Sequence, residues 1–273
     1  MTVSLNRRFI PLFAILGAAL AVTLLQEITP RRAPREYLKI ACGNDLAGHV
    51  IAHAAQDYCA KAKAVDMNRL SFLQLSDCCG TQAEFALAGG DFDMAVLCPD
   101  AAQKFLGTGA PFRIFGPLVK NANVLVSRGN NTPRSVGYVS GRVLQYEALV
   151  RTLGRTAELH PIAAPALPYA LECGAVDAVV LDAADAIRLP QYVLRPLPSD
   201  APTAVLLVHN DALQGQNFKN FIRFYNDTVR RLEGSLCNGL LTDVLHVERR
   251  EETSKAWQKL NVQLQTLPEG DSI

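Results

Sequence analysis

The side chains best equipped for chemistry in this sequence are thiols, and their positions share a pattern. Cys42 closes the run LKIAC, Cys78 and Cys79 follow FLQLSD, and Cys98 follows MAVL. Each run has the apolar, β-prone composition of a short buried strand. Four thiols at the C-terminal ends of strands would share one rim of a parallel α/β sheet, where such sheets bind ligands. GTQAEFAL, just after Cys79, reads as a helix whose free N–H groups and positive dipole end favour a thiolate. Thiolates select soft partners: copper(I), zinc, iron–sulfur species, or arsenic, mercury and selenium compounds. Cys42, Cys78, Cys79 and Cys98 are therefore the candidate ligand or metal set, although no cofactor is required. Cys59 and Cys173, on helical stretches, read as small core residues.

A structural reading of the same thiols stands beside this one. A disulfide between Cys42 and Cys98, or between Cys42 and one of the adjacent pair, is plausible in an oxidising compartment. A Cys78–Cys79 bridge is the least attractive, because adjacent cysteines seldom reach disulfide geometry. No pair of C-x-x-C motifs exists, so a zinc finger is excluded. The count of seven cysteines is odd, which leaves at least one thiol unpaired outside the cytoplasm.

Other polar residues fall at matching places. Gly43 and Asn44 follow the first strand, and Gly80 and Thr81 follow the second. Ser140, Gly141 and Arg142 stand where the strand SVGYV meets the helix VLQYEALVRTLG, a position suited to an anion. Arg142 could clamp an oxyanion bidentately; its bland reading is an exposed arginine beside a helix cap. Asp182 closes the strand AVVLD and would face the same cleft, or simply cap a helix. His49 and His53, four apart on a helix, could chelate a metal, but a solvated helix face explains them as well. His209 closes AVLLVH.

These residues need elements to position them. Arg7 and Arg8 precede the uncharged run FIPLFAILGAALAVTLL, the pattern of an export signal or membrane anchor over residues 1–28. The run would span about 25 Å as a helix, a little less than the ~30 Å hydrocarbon core. TPRRAPRE then reads as a tether over residues 29–37, with Pro30 and Pro34 opposing a helix. The remainder is expected outside the cytoplasmic membrane, periplasmic or at the cell surface. A net charge of +1 gives no reason to expect nucleic acid.

An internal echo organises that remainder. FALAGGDFDMAVLC, from Phe85, aligns without a gap on YALECGAVDAVVLD, from Tyr169. Gly90 matches Gly174, Asp93 matches Asp177, and Cys98 falls opposite Asp182. Each copy reads as a short helix, a glycine cap, an aspartate and an apolar strand. The continuous apolar strands suggest parallel pairing with both faces covered. Two βαβαβ lobes follow: 38–115 begins the first, 116–205 forms the second, and 206–273 returns helices to the first. FRIFGPLVKNANVLVSRGN and YVLRPLPSDAPTAVLLVHN are placed to cross between them. Phe218, Phe221, Ile222, Tyr225 and Val229 mark a late amphipathic helix.

FALAGGDFDMAVL and YALECGAVDAVVLDAADA are similar to the AL-x-x-G-x-ϕ-D phrases of type II periplasmic binding proteins. SVGYVSGRVLQYEALVRTLG resembles the second-lobe opening of the nitrate, taurine and thiamine-precursor branch. The DCCG motif resembles a further branch, SaoB, some of whose members carry selenocysteine. The resemblance spans roughly residues 38–230 and implies a two-lobed α/β fold. It implies a receptor without enzymatic activity that passes a small molecule, soft or anionic, to an ABC permease and ATPase. No H-E-x-x-H, G-x-S-x-G or phosphate loop is present. The alternative is a metal- or thiol-handling enzyme on the same fold, with Cys78 or Cys79 as nucleophile and His209 as its base.

Overall fold

Strand and helix alternate from the first described element. β1 (Leu38–Cys42), α1 (Leu46–Lys61), β2 (Leu70–Gln74), β3 (Met94–Leu97), α2 (Pro99–Leu106) and the long β4 (Phe112–Lys120) come first. Next are β5 (Asn123–Ser127), β6 (Ser135–Val139), α3 (Val143–Leu153), β7 (Glu158–Ile162), α4 (Leu167–Cys173), β8 (Ala178–Asp182), the short α5 (Ala183–Ala186) and β9 (Val193–Pro196). β10 (Ala204–His209), α6 (Gln216–Gly234), α7 (Glu251–Leu260) and β11 (Gln263–Leu264) follow. The structure is a computed structural model that describes residues 38–61, 70–75, 89, 92–234, 239–248 and 250–269. The expected signal segment, the tether, and the Cys78–Cys79–Gly80–Thr81 stretch lie outside the described residues.

The strands form two sheets, ordered β11-β4-β10-β3-β1-β2 and β7-β6-β8-β5-β9. β1 pairs in parallel with β2 and β3, and β6 pairs in parallel with β7 and β8. The third strand of each lobe is parallel on one edge only. On its other edge lies an antiparallel strand arriving from the opposite lobe, β10 against β3 and β5 against β8. A strand that comes from the cleft must run against strands that point towards it.

The first crossing lies at Asn121–Ala122, later than the 115/116 boundary read from the sequence, because β4 stays paired with β10 as far as Val119. Asn121 turns there with φ 59°, a left-handed conformation that asparagine tolerates. The return runs from Pro196 to Ala204. Thr203 ties the two crossings together: its hydroxyl donates to the Val119 carbonyl at 3.1 Å and accepts the Ala122 N–H at 3.4 Å.

The echo in the sequence has a physical cause. Asp93 accepts the Lys39 N–H on its carboxylate at 2.9 Å and donates its own N–H to the Lys39 carbonyl. Asp177 accepts the N–H groups of Arg134 and Ser135 at 2.9 and 3.1 Å and donates its own to the Ser135 carbonyl. Each aspartate pins the start of its lobe's third strand to the start of its first. Gly174, with φ 82°, closes α4 in the left-handed conformation that favours glycine.

Alternation along the strands fills a layer on each side of each sheet. In the first lobe Ile40, Val96 and Leu206 pack with Val50, Ile51, Phe221 and Tyr225 of α1 and α6. Ala95, Leu97 and Leu207 face the other way, onto Phe105 and Phe112. In the second lobe Leu125, Val136 and Val180 meet Ala148 and Leu149 of α3, while Val179 and Leu181 meet Leu167 and Leu171 of α4. The helical spacing seen around Phe218 is the buried face of α6. Among the described residues no helix is long and apolar enough to cross a membrane.

Candidate functional site

The strands β1, β2, β6, β7 and β8 deliver the loops at their C-terminal ends to one place, between the two sheets. Gly43, Asn44 and Asp45 after β1, Leu75 after β2, Arg142 and Gln145 at the start of α3, and Asp182, Asp185 and Arg188 around α5 line a cleft of ≈ 490 Å³. Its wall between β7 and α4 is apolar, with Ala164, Pro165, Leu167 and Pro168.

Close packing fixes the first-lobe loop. Asp45 accepts the Gly48 N–H at 2.8 Å, an N-cap that starts α1. Gly48 is needed beside it, since a Cβ there would lie 2.0 Å from the Gly43 carbonyl oxygen. In the second lobe Gln145 is buried at the cleft floor. Its side-chain carbonyl accepts the Val139 N–H at 2.8 Å, and its amide donates to Asn123 Oδ1 at 3.1 Å. That bond links the start of α3 to the first residue after the crossing.

Carboxylates dominate the electrostatics. Asp182 caps α5 through the Ala184 N–H at 2.9 Å and also accepts the Leu46 N–H, from the opposite lobe, at 2.9 Å. Burial, with the charge of Asp45 added, pushes the Asp182 carboxyl up to about 8. Asp185 is raised as well by burial, against the pull of Arg188. Asp100, in the first turn of α2, accepts the Leu144 N–H of α3 at 3.3 and 3.4 Å. Burial raises its carboxyl, opposed by the bond from Leu144 and the charge of Arg142. Arg188 donates to the Ala184 and Leu245 carbonyls at 2.9 Å each, joining the second lobe to the returning chain.

Among the sequence candidates, Gly43, Asn44, Arg142 and Asp182 line the cleft. Ser140 is exposed at the end of β6, with its N–H held by the Ile162 carbonyl. Cys42 and Cys98 do end neighbouring strands, but both are buried in the core, at 6% and 2% exposure. They are not bridged to each other. Burial, helped by Asp45, pushes the Cys42 thiol up to about 11, which keeps it protonated. The Cys98 sulfur is an N-cap, accepting the Ala101 N–H at 3.5 Å. Cys98 and Asp182, opposite each other in the echo, thus do the same task with different atoms.

His53 faces Asp57 at 4.0 Å, while burial and then Arg188 lower the pKa of His49. His209 caps the turn after β10 through the Asp211 N–H. Among the described residues no group of three or more His, Cys, Asp or Glu is placed to hold a metal. Sequence reasoning missed Asp45, Asp100, Gln145 and Arg188. Asp45 and Asp100 each stand at the start of a helix after a strand, a signal that could have found them.

Solved structures share this architecture. The ligand-binding component of an ABC-type import system from Staphylococcus aureus, with zinc bound, superimposes with a TM-score of 0.63 at 14% identity, over 85% of this chain and 86% of that one. The fold is that of a two-lobed periplasmic binding protein. The aliphatic sulphonate binding protein SsuA from Escherichia coli gives a TM-score of 0.62 at 14% identity, covering 85% of this chain and 80% of its own. The methionine binding protein MetQ gives 0.58 at 14% identity, covering 86% and 100%. No family model matches the sequence, and no curated relative matches it.

Proposed function

We propose that this chain is an extracytoplasmic solute-binding receptor of an ABC importer, without enzymatic activity, that takes a small molecule into the cleft between its lobes. The observation that carries this reading is the ≈ 490 Å³ space lined by strand-end loops of both sheets. The binding-protein structures with the same fold support it, and with it a permease and an ATPase as membrane partners. The ligand is small and either anionic or soft. Arg142, at the N-terminus of α3, supplies the anion contact. Cys78 and Cys79, where a helix N-terminus is expected, supply the preference for sulfur, selenium or a soft metal.

Native mass spectrometry of protein purified without reductant tests the reading, because bound mass, metal and thiol state are read together. Candidate solutes are then titrated by calorimetry. Saturable binding with no product supports the receptor, and turnover of the bound solute supports the enzyme alternative. Arg142→Ala is expected to weaken an anionic solute by roughly 1.5–3 kcal/mol. Exchange of Cys78 and Cys79 together for serine is expected to abolish binding of a soft one with the fold intact.

A further inference from the structure

Each lobe's leading helix has its N-terminus filled by an aspartate of the other lobe. Asp182, ending β8, accepts the N–H of Leu46, the first residue of α1, at 2.9 Å. Asp100, just beyond β3, accepts the N–H of Leu144, in the first turn of α3, at 3.3 and 3.4 Å. The exchange is similar in the two lobes but not strictly repeated, since Asp100 stands two residues beyond Cys98, the residue opposite Asp182 in the echo. Each aspartate follows the strand beside a crossing strand, and each helix follows the strand one place further out.

The two contacts differ in strength. Asp182 bonds at normal length and also caps α5. The bonds to Asp100 are long, and the Glu147 charge works against its carboxylate while that of Arg142 favours it. α3 has no side-chain cap of its own at Arg142, so Asp100 serves as the anion at this helix start. An oxyanion of a solute would seek the same N–H groups beside the same arginine.

We propose that Asp100 and Asp182 form a reciprocal clamp that closes the cleft without ligand, and that Asp100 is the built-in competitor an anionic solute must displace from α3. The first half stands on the bonds alone, and the second rests on the solute-receptor reading. In this arrangement Asp100 sets selectivity, since only a group that satisfies Leu144 and Arg142 better than a tethered carboxylate gains entry. Asp182 stays in place and keeps the lobes in register.

The test uses the full chain as wild type, D100A and the near-isosteric D100N, with circular dichroism as the check on folding. Small-angle scattering without ligand reads the clamp. A larger radius of gyration in D100A than in wild type is expected, with D100N between them. The double variant D100A/D182A removes both contacts and is expected to have the largest radius. Equal radii for wild type, D100A and the double variant, all folded, overturn the clamp. Calorimetry with sulfate, then methanesulfonate, reads the competitor. Binding about tenfold tighter in D100A is expected, the scale of one displaced charged hydrogen bond. Equal or weaker binding in D100A, or no binding to any variant, overturns the competitor. Failure of the receptor reading leaves the scattering result standing, so the two failures are distinguishable.

Discussion

A single carboxylate oxygen of Asp182 accepts the N–H of Leu46 and the N–H of Ala184, both at 2.9 Å, so it sits on helix starts in both lobes at once. Asp182 keeps its proton in that setting because burial and the nearby Asp45 disfavour its charge. The unfolded chain releases the proton near 3.8, whereas the folded chain holds it to about 8. Stability from this group is therefore complete below about pH 4 and is lost as pH rises through 8. The melting temperature of wild type is expected to fall across that window, measured in buffers of constant ionic strength. Asp182→Asn keeps an oxygen for both N–H groups and removes the titration. It should flatten the slope and raise the melting point at pH 8 by ~2–4 °C per kcal/mol recovered. Parallel pH profiles for the two proteins would refute the assignment.

Asp93 and Asp177 occupy the same place in the echo, yet they should not cost the same to remove. Asp93 is buried at 2% exposure, and its loss leaves the part-buried Lys39 N–H without its carboxylate partner. Asp177 is exposed, so water replaces it on Arg134 and Ser135. Asp93→Ala is expected to lose about 1–3 kcal/mol in urea unfolding, and Asp177→Ala less than about 1 kcal/mol. Equal losses would show that the two pins are not graded by burial.

Cys98 offers a test of thiol as cap. Its sulfur accepts the Ala101 N–H at 3.5 Å, a bond that a serine hydroxyl makes at least as well. Cys98→Ser is expected to hold stability, and Cys98→Ala to lose about 0.5–1 kcal/mol. The reverse order would mean that burial of the sulfur matters more than its bond. Cys42, with its thiol near 11, should stay unmodified by iodoacetamide at pH 8 while the exposed Cys173 reacts, as read by peptide mass spectrometry. Rapid alkylation of Cys42 would contradict its burial.

Gly48→Ala sets helix propensity against space. Alanine favours a helix interior by about 1 kcal/mol, but its Cβ would stand 2.0 Å from the Gly43 carbonyl. The clash wins on this geometry, with a net loss of about 1–3 kcal/mol and a displaced Gly43–Asp45 loop. A melting point at or above wild type would show that the loop yields freely.

The sequence by itself determined the elements and their order. Continuous apolar runs located β3 and β8, because strands buried on both faces leave no polar alternation, and apolar residues at helical spacing located α6. The repeated Gly and Asp announced two lobes, and the strand pin that Asp93 and Asp177 each make is local to its lobe. Cys42 and Cys98 were rightly placed at strand ends, but a strand end can point into the core as well as into a cleft. Only the tertiary structure decided that question, by packing Cys42 among α1 side chains and turning the Cys98 sulfur onto the start of α2.

The same holds for the polar contacts across the cleft. Asp182 and Leu46, or Asp100 and Leu144, are far apart in the chain, and their bonds depend on how the lobes face each other. A helix N-terminus advertises unsatisfied N–H groups in sequence, but not which carboxylate will satisfy them. Local patterning is written residue by residue. The partner across the cleft is chosen only when two separately legible lobes meet.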